Sequence, residues 1–121
     1  AMSSVSKALS SGGPTFIHSL NPCTNGWDYD PMFSHELGEL AVETGIWPLY
    51  EIEKGTVKMM GKTKRIAKGQ LKRKPVREYL MRQGRFAHFT PEDIKLFQDK
   101  VDESWEKWWL PGVIPVSMKE D

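Results

Sequence analysis

Apolar positions recur along the chain at two periods, with short polar breaks between them. Over residues 4–10, Val5, Ala8 and Leu9 share one side, which predicts one or two helical turns too short to stand alone. Ser10-Ser11-Gly12-Gly13-Pro14 breaks this run. Thr15–Leu20 then alternates, with Phe16, His18 and Leu20 on one face and Ile17 on the other, which predicts a short strand. Residues 21–27 hold Pro22 and Gly26 and predict a loop at that strand's carboxyl end. Asp30-Pro31 and Ser34 both offer helix starts, and a helix through Leu37, Leu40, Ala41 and Thr44 should end with Gly45 at C′. Ile46–Glu53 predicts a second strand, edge-located at Pro48, turning at Lys54-Gly55 into Thr56–Met60.

Residues 61–74 show few apolar side chains and no period, so they are expected to form an exposed, mobile arm. Pro75 can open a helix through Val76, Tyr79 and Leu80, closed by Gly84. Thr90-Pro91-Glu92-Asp93 is the strongest local signal: Thr90 caps, Pro91 opens, and Asp93 can reach back to the cap. Ile94, Phe97, Val101, Trp105 and Trp108 then form one apolar helical stripe. The expected architecture is an α/β fragment, with short strands including a hairpin and three to four helices. It divides into an α/β part with the Cys loop (14–60), the basic arm (61–74) and a helical C-terminal part (75–121).

Composition narrows the classes. A chain of 121 residues suits a single domain. No run approaches the ~20 apolar residues of a membrane span, and the first residues lack the apolar core of a signal peptide. One cysteine makes no internal disulfide, which fits a reducing compartment and predicts a cytoplasmic protein without a membrane partner. The net charge of +1 hides three blocks. Residues 1–53 have one base against seven acids, 54–85 twelve bases against one acid, and 86–121 four bases against eight acids. The basic block could meet nucleic acid, the acidic flanks or a partner subunit. Aromatic residues are not interleaved through 54–78, so single-strand stacking is disfavoured and a nucleic-acid module is the weaker reading.

Cys23 is the only soft ligand. On spacing alone it reads first as an ordinary loop thiol. A metal site needs more ligands than one cysteine supplies, and a nucleophile needs a base that His18, His35 or His88 could provide only through the fold. His18 reads as a core histidine, and Trp105 and Trp108 as packing. Five tryptophans in so small a core also suggest a docking surface, hence an assembly module or self-association.

The stretch Gly13-Pro14-Thr15-Phe16-Ile17-His18-Ser19-Leu20-Asn21-Pro22-Cys23-Thr24-Asn25-Gly26-Trp27 resembles a segment of the beta subunit of pyruvate:ferredoxin oxidoreductase and related 2-oxoacid:ferredoxin oxidoreductases. The likeness continues through residues 40–51, 74–80, 83–86 and 90–94; it is weakest over 61–73, and Thr24 stands where the family has proline. The resemblance implies the C-terminal part of a subunit that binds thiamine diphosphate and magnesium and passes electrons from a 2-oxoacid, most often pyruvate, through a [4Fe–4S] cluster to ferredoxin. It places the fourth cluster ligand on Cys23 and the others outside this chain. The isolated chain is then expected to hold no cofactor and to be inactive. Its expected partners are the N-terminal part of the beta subunit and the other subunits, with ferredoxin serving the complete enzyme.

Overall fold

The computed structural model describes residues 2–112, and part of the expected helical segment 75–121 lies outside them. The described chain is mixed α/β, with six α-helices and one two-stranded antiparallel sheet. The α-helices are α1 (Met2–Ser10), α2 (Thr24–Trp27), α3 (Ser34–Glu43), α4 (Gly61–Ala67), α5 (Val76–Leu80) and α6 (Pro91–Ser104). The strands are β1 (Tyr50–Glu53) and β2 (Thr56–Met59).

The core lies where α3, α5 and α6 meet. Leu37, Leu40 and Ala41 of α3 are buried with Val76, Tyr79 and Leu80 of α5 and with Val101 and Trp105 at the end of α6. Two closures hold this centre. The Thr44 hydroxyl donates to the Leu40 carbonyl at 2.6 Å, and Gly45 follows at φ +82°, a left-handed stop that favours glycine. Trp105, fully buried, donates its indole N–H to the Gly45 carbonyl at 3.0 Å. α6 begins as expected: Thr90 and Asp93 form the reciprocal capping box, with Pro91 in the first turn. Beyond Ser104 the helix widens into one π-type turn, Trp105–Trp109, closed by Leu110 N–H to Trp105 O at 2.8 Å. That turn leaves Trp109 against Tyr50 of β1, ring centres 5.0 Å apart.

The hairpin forms at Lys54-Gly55, both at positive φ (50° and 80°), as a two-residue type I′ turn requires. Its register pairs Tyr50 with Met59 and Ile52 with Val57. The strand is shorter than the run 46–53. Pro48 has no N–H to give, and the Trp47 N–H is already spent on the Ala41 carbonyl.

Four further expectations are corrected. Thr15–Leu20 is no strand: residues 14–22 make no backbone hydrogen bonds among the described residues, and Phe16 is 87% exposed. A strand exists only with a neighbour, and the only sheet among the described residues is β1–β2. His18 is correspondingly an exposed ring edge-on to Trp47, not a core histidine. The arm 61–74 is regular over 61–67, where α4 buries Thr63 and Ile66 against α3. The Thr63 hydroxyl accepts the Leu49 N–H at 2.7 Å, a contact no periodicity announces. Finally, α5 stops at Leu80 rather than at Gly84: the Gln83 N–H turns back to the Leu80 carbonyl at 3.2 Å, and the Gln83 side-chain amide donates to the Tyr79 carbonyl that this N–H would have used in a longer helix. With α2 and α4 added, the helices exceed the three to four expected.

The basic block is met partly by the acidic flanks. Lys62 and Lys74 pair with Glu43, Arg82 with Glu36, and Arg73 with Asp102.

Candidate functional site

The Cys loop is built by one helical turn. The sequence predicts a loop over residues 21–27; within it α2 starts at Thr24 with Cys23 at its N-cap, in extended backbone. The turn closes through Trp27 N–H to Cys23 O at 3.1 Å and Asp28 N–H to Thr24 O at 3.0 Å. Asp28 ends it in the left-handed region at φ 55°.

Cys23 is exposed and free. Its side chain makes no cap hydrogen bond, yet the peptide N–H groups of Gly26 first and Asn25 second favour the thiolate and hold the thiol below its ordinary pKa. The three histidines lie elsewhere: His18 against Trp47, His35 beside Glu39, His88 against Phe89. No base is therefore brought to the sulfur from among them, and the nucleophile reading gains nothing. Among the described residues no group of three His, Cys, Asp or Glu side chains converges as a metal site would require. No described helix is long and apolar enough to cross a membrane.

The turn is fastened to the core at three points that sequence reasoning did not single out. Trp27 sits edge-on to Tyr79, ring centres 6.2 Å apart. The Gly84 N–H donates to the Asp28 carbonyl at 2.7 Å. Arg85 lies over the Trp27 ring with its guanidinium carbon 4.1 Å from the centroid. The signals in the sequence are the likeness over 83–86 and Gly84 itself, which reads as a helix stop but serves as a close-approach glycine. A Cβ there would overlap the Asp28 carboxyl and sit 2.9 Å from Asp28 Cβ.

No known family profile matches the chain. Over 102 residues it is 54% identical to pyruvate synthase subunit PorB of Methanocaldococcus jannaschii, covering 84% of this chain and 32% of that protein. It is 48% identical over 101 residues to PorB of Methanothermobacter thermautotrophicus, and 39% identical over 101 residues to ketoisovalerate oxidoreductase subunit VorB of Pyrococcus furiosus. The chain thus spans about a third of the length of the curated relatives it matches. The resemblance read from the residues is borne out.

Proposed function

We propose that this chain is the C-terminal segment of the beta subunit of a 2-oxoacid:ferredoxin oxidoreductase, with pyruvate as the favoured substrate. In this reading Cys23 is the fourth ligand of a [4Fe–4S] cluster whose other ligands lie outside the chain. The observation that carries it is the match of 84% of the chain to PorB, together with a Cys loop whose thiol is exposed. The donor set fits one cluster ligand and no more: a single exposed thiol whose ionised form nearby peptide dipoles favour. When bound, the cluster would supply a one-electron relay beside thiamine diphosphate. What this chain contributes is a sulfur held outward on a short turn, whose ionised form the peptide N–H groups of Gly26 and Asn25 favour. Such N–H groups stabilise negative charge on sulfur and so bear on the potential of whatever it ligates. Thiamine diphosphate and magnesium are assigned to the remainder of the subunit.

The partner side of this reading rests on residues 14–22. Their backbone N–H and C=O groups lack backbone partners among the described residues, and Phe16 and Ile17 are exposed beside them. Such a run is what a segment displays when a sheet in another polypeptide completes it. The relatives, about three times as long, contain the additional chain that could do so. A stand-alone assembly module shares this surface but gives Cys23 no role.

Anaerobic reconstitution tests the reading. The chain is mixed with the preceding two-thirds of a beta subunit, iron and sulfide, then reduced and examined by electron paramagnetic resonance. A cluster signal that appears only in the mixture and disappears with Cys23→Ser is expected. An unaltered signal with Cys23→Ser would remove Cys23 from the cluster, and associated, folded partners without any cluster would favour the assembly module.

A further inference from the structure

The turn that carries Cys23 is only four residues long, too short to hold its own position. Its place must come from outside, and one short stretch provides it. Gln83 is 1% exposed; its amide nitrogen donates to the Tyr79 carbonyl at 2.9 Å, and its amide oxygen accepts the Arg85 Nε–H at 2.7 Å. The buried glutamine thereby aims the Arg85 guanidinium, which stacks over Trp27 at 4.1 Å and over Phe86 at 4.6 Å. Between them Gly84 brings its backbone onto Asp28, N–H to carbonyl at 2.7 Å, at a spot where any side chain would collide. Trp27 and Asp28 are the last residue of the turn and its stop, and the Trp27 N–H returns to the Cys23 carbonyl.

We propose that Gln83-Gly84-Arg85 forms a clamp that fixes the Cys23 turn on the core, with Gly84 and Arg85 as positioning residues for the Cys23 sulfur. The contact is two-sided. Gly84 sets the distance through the backbone, and Arg85 holds the Trp27 ring by laying its planar guanidinium over it. Lysine would keep the charge but not that plane. The consequence for a cluster rests on the reading of Cys23 proposed above. A ligand presented on an unclamped turn meets its metal in many positions, and supporting residues of this kind typically change metal affinity about 10–100-fold.

The clamp is tested without a cluster. The full chain carrying Gly84→Ala, Arg85→Leu or Arg85→Lys, with Arg77→Leu as an exposed control on α5, is treated with iodoacetamide at one fixed pH. Near-ultraviolet circular dichroism verifies the fold, and the same rates in concentrated urea give the unclamped thiol. Gly84→Ala and Arg85→Leu should move the Cys23 alkylation rate severalfold towards the urea value, Arg85→Lys should follow Arg85→Leu, and Arg77→Leu should leave the rate unchanged. A natively folded Arg85→Leu chain alkylated at the wild-type rate overturns the clamp, and this variant decides the matter if Gly84→Ala fails to fold. In the reconstituted mixture, the same two variants should load the cluster roughly tenfold less well. Altered alkylation combined with a cluster signal indifferent to Cys23→Ser would uphold the clamp and overturn the cluster reading instead.

Discussion

Gly45 and Trp105 lie sixty residues apart and hold each other in place. The glycine is left-handed at φ +82°, and a side chain there would meet the indole of Trp105 and, at 2.8 Å, Cδ of Arg73. Gly45→Ala should therefore cost about 2–4 kcal/mol, combining left-handed strain with overpacking, and should lower the urea midpoint at unchanged slope. Trp105→Phe keeps most of the apolar volume but leaves the Gly45 carbonyl without its donor, a loss of about 1–3 kcal/mol by the same measurement. Both residues were legible as types: a C′ glycine and an apolar stripe. That they touch was not, because no local pattern encodes a hydrogen bond between residues so far apart. The same holds for Gly84, whose sequence signal announced a helix stop and whose use is to let Asp28 come close.

Elements with complete local signals came out as the residues predict. The capping box of α6 needs only Thr90, Pro91 and Asp93, all within one turn. Thr90→Ala should cost about 1 kcal/mol, read as a lower urea midpoint, with fraying of the first turn visible in amide exchange. The hairpin likewise needs only its two turn residues. α4 shows the reverse. Its sequence is basic and nearly without apolar period, and it is helical because Ile66 and Thr63 find a surface on α3 and the Leu49 N–H. Apart from Ala67, which packs at the edge of the core, its remaining side chains are polar and at least partly exposed, so propensity and pattern alone leave the segment unassigned. The run 15–20 fails for the complementary reason: it has the pattern of a strand and no described neighbour to pair with.

Across the whole molecule, the uneven charge becomes a set of pairs between segments. Burial works against the charge of Glu43, but hydrogen bonds from Lys74 and Lys62 outweigh it and hold the carboxyl below its usual range. Glu51 is lowered by hydrogen bonds from Ser4 and Lys7, and Asp93 by the Thr90 N–H and hydroxyl. For each, the folded pKa lies below the unfolded value of roughly 4, so the unfolded chain binds more protons in that range. The stability these groups contribute is present above the unfolded pKa and lost as pH falls through the folded values. Lys7 is raised by its hydrogen bonds to Glu53 and Glu51, and Lys74 by Glu43. Their contribution is complete below roughly pH 10.4 and lost as pH rises through their folded values. Urea melts across pH should therefore show a plateau between these limits, with a fall on either side. A midpoint that rises on acidification from pH 5 to pH 3 would contradict the pairing. Each pair is at least partly exposed and contributes little alone, so the effect is cumulative.

The sequence by itself determined the Gly45 stop and the α6 capping box, the hairpin turn, the stripe of α6 as far as Trp105 and the resemblance that singled out Cys23, because each is written in neighbouring residues. Tertiary structure alone decided that α4 is a helix, that residues 14–22 have no partner strand among the described residues, and that Gly84 and Arg85 lie against the Cys23 turn. These depend on which distant surfaces meet, and an apolar face or an unpaired peptide group has no energy assigned to it until its neighbour is in place.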